Sequence, residues 1–212
     1  MPNRSDLPIV LPQDCRELKA AIGQRTVILA SSSPRRREIL RICGIPVKIV
    51  RPTVIEPAPE ADDYRGWARR WALRKALSVV GKAEGKLVIG ADTIVVLKGR
   101  AMGKPIDAAD ARGMLTRLSG RTHQVITGVA VIDGRSGMQA TGSAVSNVTF
   151  RRLTKRDVES YLKTGEPWDK AGAYALQGYA GRFVEHVTGP VDNVVGLPVH
   201  RLAQLIRRVT HK

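Results

Sequence analysis

The segment LVIGADTIVVL, Leu87 to Leu97, constrains this chain most. It is apolar almost throughout, rich in β-branched residues, and interrupted only by Asp92 and Thr93. Such a run reads as a strand buried on both faces. An ionised carboxylate in its middle is expensive unless it is paired, hydrogen-bonded or bound to a cation. Asp92 is therefore a candidate functional residue, although a carboxylate satisfied by backbone amides or a lysine would answer the same demand.

Around that strand the text alternates strands and helices. VILA from Val27 leads through three serines into Pro34 and the helical pattern RRREILRIC, with Gly44 as its stop. A short strand is expected at Val47 to Val50, then a Pro-rich stretch, then a long helix from about Asp63 to Ala83. After a turn at Lys98 to Arg100 come a helix from Asp107 to Leu118 and two strands, Gln124 to Ile132 and Gln139 to Phe150, around a Gly134 to Gly137 turn. Thr154 with Asp157 marks a capped helix running to Thr164. A Gly-rich segment from Glu166 to Gly181, a strand at Phe183 to Val187 and a final helix after Pro198 complete the pattern. Residues 1 to 25 read as an extension with a short helix at Cys15 to Ile22, ahead of one domain spanning 26 to 212.

Charge and cysteine content narrow the function classes. Thirty-five Lys and Arg against 19 Asp and Glu leave +16, a field that gathers anions such as polyphosphates or nucleic acids. Aromatic residues are only 4% of the chain, too few for the stacking platforms of single-strand binders, and no nucleic-acid motif occurs. No stretch approaches the roughly 18 apolar residues of a membrane span, and the first thirty residues are broken by Pro2, Pro8, Pro12, Asp14 and Glu17, so neither a membrane span nor a signal peptide is expected. The two cysteines, Cys15 and Cys43, form no CxxC pair and have no histidine at ligand spacing, so no disulfide scaffold or zinc site is expected and a reducing cytoplasm fits.

Several groups suit phosphate chemistry. Ser31, Ser33, Arg35 and Arg36 stand where a strand feeds a helix, joining free backbone donors to the positive helix end; a capped helix with solvated arginines would leave the same trace. Glu56 is a second carboxylate that magnesium could share with Asp92. Lys75 and Lys104 gain meaning only if they converge on one site. GRAMGKP is not a P-loop, because three residues separate its glycines and Pro105 follows the lysine. In DKAGAYALQG, Lys170, Tyr174 and Gln177 lie among small residues that permit close approach, and a Gln amide reads a base edge with one donor and one acceptor. The histidines form no HExxH and no GxSxG occurs, so zincin and α/β-hydrolase chemistry find no support.

Taken in order, LASSSPRRREIL, ALRKA, IGADTIVVL, MGKP, LSGRTHQVITGVAV, GEPWDKAGAYALQG and VVGLPV resemble the Maf family of nucleoside triphosphate pyrophosphatases, from about Val27 to Leu205. The resemblance implies an α/β fold like that of inosine triphosphate pyrophosphatases: an elongated central mixed sheet, flanking helices and a cleft between two lobes. It implies divalent-metal-dependent hydrolysis, with Mg2+ or Mn2+, of a nucleoside triphosphate to the monophosphate and pyrophosphate. Asp92 then corresponds to the catalytic proton acceptor, Glu56 and Asp92 to metal carboxylates, and Ser31, Ser33, Arg36, Lys75, Lys104 and Lys170 to substrate-binding groups. Arg35, Thr93 and Gln177 match the branch acting on dTTP and UTP, whereas the 7-methyl-GTP branch carries Trp, Gln and Glu there. GPVDN at Gly189 to Asn193 departs from the family's usual Gly, Ser, Tyr region. A cytoplasmic homodimer that clears modified pyrimidine nucleotides is the implied context. The competing readings are a basic nucleic-acid-binding protein and a division-regulating protein without turnover.

Overall fold

The structure is a computed structural model describing residues 9–55, 57 and 63–210. Its element order is α1 (Pro12–Ile22), β1 (Val27–Ala30), α2 (Pro34–Ile42), β2 (Val47–Val50), α3 (Tyr64–Leu77), β3 (Leu87–Leu97), β4 (Arg100–Met102), α4 (Ala108–Leu118), β5 (Thr122–Asp133), β6 (Gln139–Phe150), α5 (Lys155–Leu162), β7 (Val184–Thr188), α6 (Val191–Val195) and α7 (Val199–Thr210), with short 3-10 turns between some of them. The strands form one mixed sheet in the order β2-β1-β3-β5-β6-β7, with β4 on β3. The pairs β1–β2 and β1–β3 are parallel and the others antiparallel. The expected α/β architecture of a mixed sheet with flanking helices is thus observed.

Strand alternation assigns the faces of β3. Leu87, Ile89 and Ala91 pack with α1, α2 and α7, while Val95 and Leu97, on the same face, pack with α4, α5 and Phe150. The opposite face carries Val88, Ile94 and Val96, covered by α3. Ala68, Ala72 and Ala76 recur every fourth residue and form the contact stripe of α3. Opposite them stand Gly90 and Gly128, where a Cβ would collide with the α3 backbone at Ala72 and Ala68. Small residues on both surfaces bring α3 unusually close to the sheet, which later places Lys75.

Four local features differ from the sequence expectation. The long helix stops at Leu77, because the Ser78 hydroxyl bonds the Lys75 carbonyl at 2.8 Å, and Val79 and Ala83 then turn into the core. The Lys98–Gly99 turn has positive φ at both residues (49° and 74°), the geometry of a tight hairpin, and so creates β4. The short helix α6 was not expected. Finally, Cys15 and Cys43 are joined in a disulfide across 28 residues of sequence, correcting the reading that they stay unpaired. Sequence spacing could not reveal it, since the pair exists only because Leu18 and Ile22 of α1 pack into the core shared with Ile39 and Leu40 of α2. No described helix is long and apolar enough to cross a membrane.

Candidate active site

The cleft is a gap in the sheet. Strand β1 stops at Ala30, paired with Gly90, and β4 ends at Met102, paired with Val95. Between those registers Ala91 to Ile94 keep only β5 as a neighbour. Side chains from both faces of β3 therefore reach one opening, and the segments leaving β1 and β4 frame it. The resulting cavity, of about 500 Å³, is lined by Ser31, Ser33, Arg35, Arg36, Lys75, Asp92, Thr93, Lys104, Lys170 and Gln177, all expected from sequence. Glu56, expected as a metal carboxylate, lies outside the described residues.

Asp92 is 2% exposed and sits on the α3 face. Because α3 lies so near, Lys75 Nζ reaches Asp92 Oδ1 at 2.5 Å, a buried ion pair. Asp92 Oδ2 is also buried and has no hydrogen-bond partner among the described residues. An orphaned carboxylate oxygen at a cleft wall calls for a cation, a water or a ligand donor.

Thr93 points to the other face. Arg36, 9% exposed, binds it there: Nη2 donates to Thr93 Oγ1 at 3.0 Å, Nη1 to Ser31 Oγ at 3.0 Å and Nε to the Gly196 carbonyl at 2.8 Å. The Ser33 amide donates to Ser31 Oγ at 3.2 Å just before α2 begins at Pro34. Arg35 faces Asp169 at 3.8 Å across the mouth, and the Lys170 ammonium contacts Asp169 and the Glu166 carbonyl. Gly172 and Ala173 adopt left-handed backbone (φ 69° and 59°), a turn that brings Lys170 and Tyr174 to the same wall. The Tyr174 hydroxyl meets His123 Nε2 at 2.7 Å in the core; burial pushes the His123 imidazolium down to about 4 and raises the Tyr174 phenol. Both are therefore neutral near pH 7.

Sequence reasoning missed Arg51, Asp169, Thr127 and the structural use of Asn193. Arg51 was findable, because it follows β2 as Ser31 follows β1 and parallel neighbours end together. Thr127 carried the same signal as Asp92, a polar residue inside an apolar strand. Six basic side chains line the cleft, Arg35, Arg36, Arg51, Lys75, Lys104 and Lys170, against the carboxylates of Asp92 and Asp169. Among the described residues no cluster of three or more His, Cys, Asp or Glu side chains forms a metal site.

A family model described as Maf-like protein matches residues 26–209. The chain is 49% identical to a dTTP/UTP pyrophosphatase of Symbiobacterium thermophilum over 85% of its own length and 92% of the relative's. It is 44% identical to a dTTP/UTP pyrophosphatase of Clostridioides difficile, over 86% and 94% of the two chains. A relative of the same name from Geobacter sulfurreducens is 42% identical over 86% and 96%.

Proposed function

The chain belongs to the Maf-like protein family, and from that premise we propose that it hydrolyses dTTP and UTP to the nucleoside monophosphate and pyrophosphate. The observation that carries the reading is the buried Asp92–Lys75 pair inside a gap in the sheet whose rim is basic. The cleft's excess of four positive charges suits a triphosphate, which carries about four negative charges near neutral pH.

In this reading a water attacks the α-phosphorus, the bond to the bridging oxygen breaks, and its electron pair leaves on pyrophosphate. Asp92 accepts the water's proton through Oδ2, while Lys75 pins Oδ1 and so fixes the carboxylate plane. Ser31, Ser33, Arg36, Lys104 and Lys170 hold phosphate oxygens; Arg35, Thr93 and Gln177 face the nucleoside. A Mg2+ or Mn2+ ion would be held by Glu56 beside the Asp92 carboxylate, whose Oδ2 has no partner among the described residues, and when bound would supply charge neutralisation and an acidified water. A homodimeric state completes the reading.

The test is pyrophosphate release from dTTP, UTP, CTP, GTP and 7-methyl-GTP, with Mg2+ or Mn2+ and with chelator. We expect metal-dependent turnover led by dTTP and UTP. Asp92→Asn should lower kcat at least 10³-fold while calorimetry still detects nucleotide binding. Silence on every nucleotide, or full activity of Asp92→Asn, overturns the reading.

A further inference from the structure

Thr127 lies on β5 directly across from Thr93 on β3, and it is fully buried. Its hydroxyl is 2.9 Å from the Asn193 carbonyl oxygen, which can only accept, so the single Thr127 proton is committed there. The two threonine hydroxyls are 3.0 Å apart. With the Thr127 proton engaged, Thr93 must donate in that contact. Arg36 Nη2, which can only donate, places a second hydrogen bond on Thr93 Oγ1. A hydroxyl has one proton and two lone pairs. Once Thr93 has donated to Thr127 and accepted from Arg36, one lone pair remains, and toward any ligand in the cleft Thr93 is an acceptor only.

The far end of the relay is fixed as well. Asn193 is fully buried; its Nδ2 donates to the Val125 carbonyl at 3.0 Å and to Ser146 Oγ at 2.9 Å. Ser146 Oγ in turn donates to the Pro190 carbonyl at 2.8 Å. Each direction is dictated by a group that cannot reverse, and Thr127, Asn193 and Ser146 lie outside the lining of the cleft.

We propose that Thr127 is a positioning residue that fixes the polarity of the Thr93 hydroxyl, so that the cleft selects a nucleobase edge that donates a hydrogen bond. The inference rests on the pyrimidine pyrophosphatase reading and deepens it. Uracil and thymine carry N3–H, a donor, whereas the N3 of cytosine is an acceptor and would face a lone pair. Gln177 cannot make this distinction alone, because its amide can rotate to offer either group.

The experiment compares kcat/KM for UTP and CTP in the wild type, Thr127→Val, Thr127→Ser and Thr93→Val, with thermal melts for each. Valine at 127 keeps the shape but removes the acceptor for Thr93, whose proton is then free to turn toward cytosine N3. The UTP/CTP ratio should fall about 10-fold or more, chiefly by a gain for CTP, and serine should restore it. Thr93→Val, which deletes the acceptor itself, should lower the ratio too and serves if Thr127→Val fails to fold. A purely structural role would lower both substrates together and leave the ratio unchanged. An unchanged ratio in folded Thr127→Val or in Thr93→Val overturns the proposal. A wild type that hydrolyses no nucleoside triphosphate overturns the parent reading instead, and this proposal falls with it.

Discussion

Replacing Gly128 by alanine should disable the cleft from behind, without touching any residue that lines it. Gly128 is the register partner of Asp92, and an added Cβ would collide with the carbonyl group of Ala68 and stand 2.5 Å from the Arg69 nitrogen. Both are backbone atoms of α3, so no rotamer change relieves the overlap; the helix must retreat by about 1 Å to restore ordinary contact. Overpacking of this kind costs roughly 3 kcal/mol, which for a chain of this length lowers the melting temperature by about 6–12 °C. The same retreat carries Lys75 away from Asp92, now 2.5 Å distant. Misplacement of a positioning group by about 1 Å can reduce turnover on the order of 100-fold. Calorimetry and pyrophosphate release from dTTP measure the two effects on one sample. Gly113→Ala is the control: it sits within α4 with nothing near the added methyl, and should be neutral or stabilising by about 0.5–1 kcal/mol. A Gly128→Ala protein that melts within about 2 °C of the wild type with unchanged kcat would refute the close-approach account of how α3 arms Asp92.

Two further outcomes follow from the fold. The Cys15–Cys43 bond closes a loop of 28 residues, for which chain entropy predicts about 3.5 kcal/mol of stabilisation; reduction, or serine at both positions, should lower the melting temperature by roughly 7–14 °C, and identical melts with and without reductant would contradict it. Asp192 is buried, receives the Val199 amide at 2.7 Å and has its carboxyl pushed up to about 6, mainly by burial. Its folded value exceeds the unfolded one, so the native state binds the extra proton; the stability this lends is complete below about pH 4 and lost as pH rises through about 6. Asp192→Asn should remove that slope, and parallel melting-temperature curves for the two proteins between pH 4 and 6.5 would exclude the assignment.

Much of the element pattern was legible because local rules generated it. The Thr154–Asp157 capping box opens α5 as expected, and the apolar run of β3 is buried along its length apart from Thr93. Site residues were legible where a polar group interrupted an apolar strand or a glycine-rich loop, which is how Asp92, Thr93 and Gln177 stand out. Arg51 and Thr127 were overlooked because each makes sense only beside another strand. The end of α3 was misjudged because Ser78 closes it through a side-chain bond, while the apolar pattern runs on through a 3-10 turn at Val80–Lys82 that packs without continuing the α-helix.

By itself the sequence determined the strands, most of the helices and the kinds of chemistry available, since hydrophobic period, capping residues and the expense of a buried carboxylate act over a few neighbouring positions. Only the tertiary structure decided that β1 and β4 leave a gap beside β3, that glycines and alanines let Lys75 reach Asp92, that α1 is bonded to the end of α2, and that the Thr93 proton points inward. Those facts depend on register and on contacts between residues from 5 to 160 positions apart, and hydrogen-bond direction in particular exists only once every partner in the chain is in place.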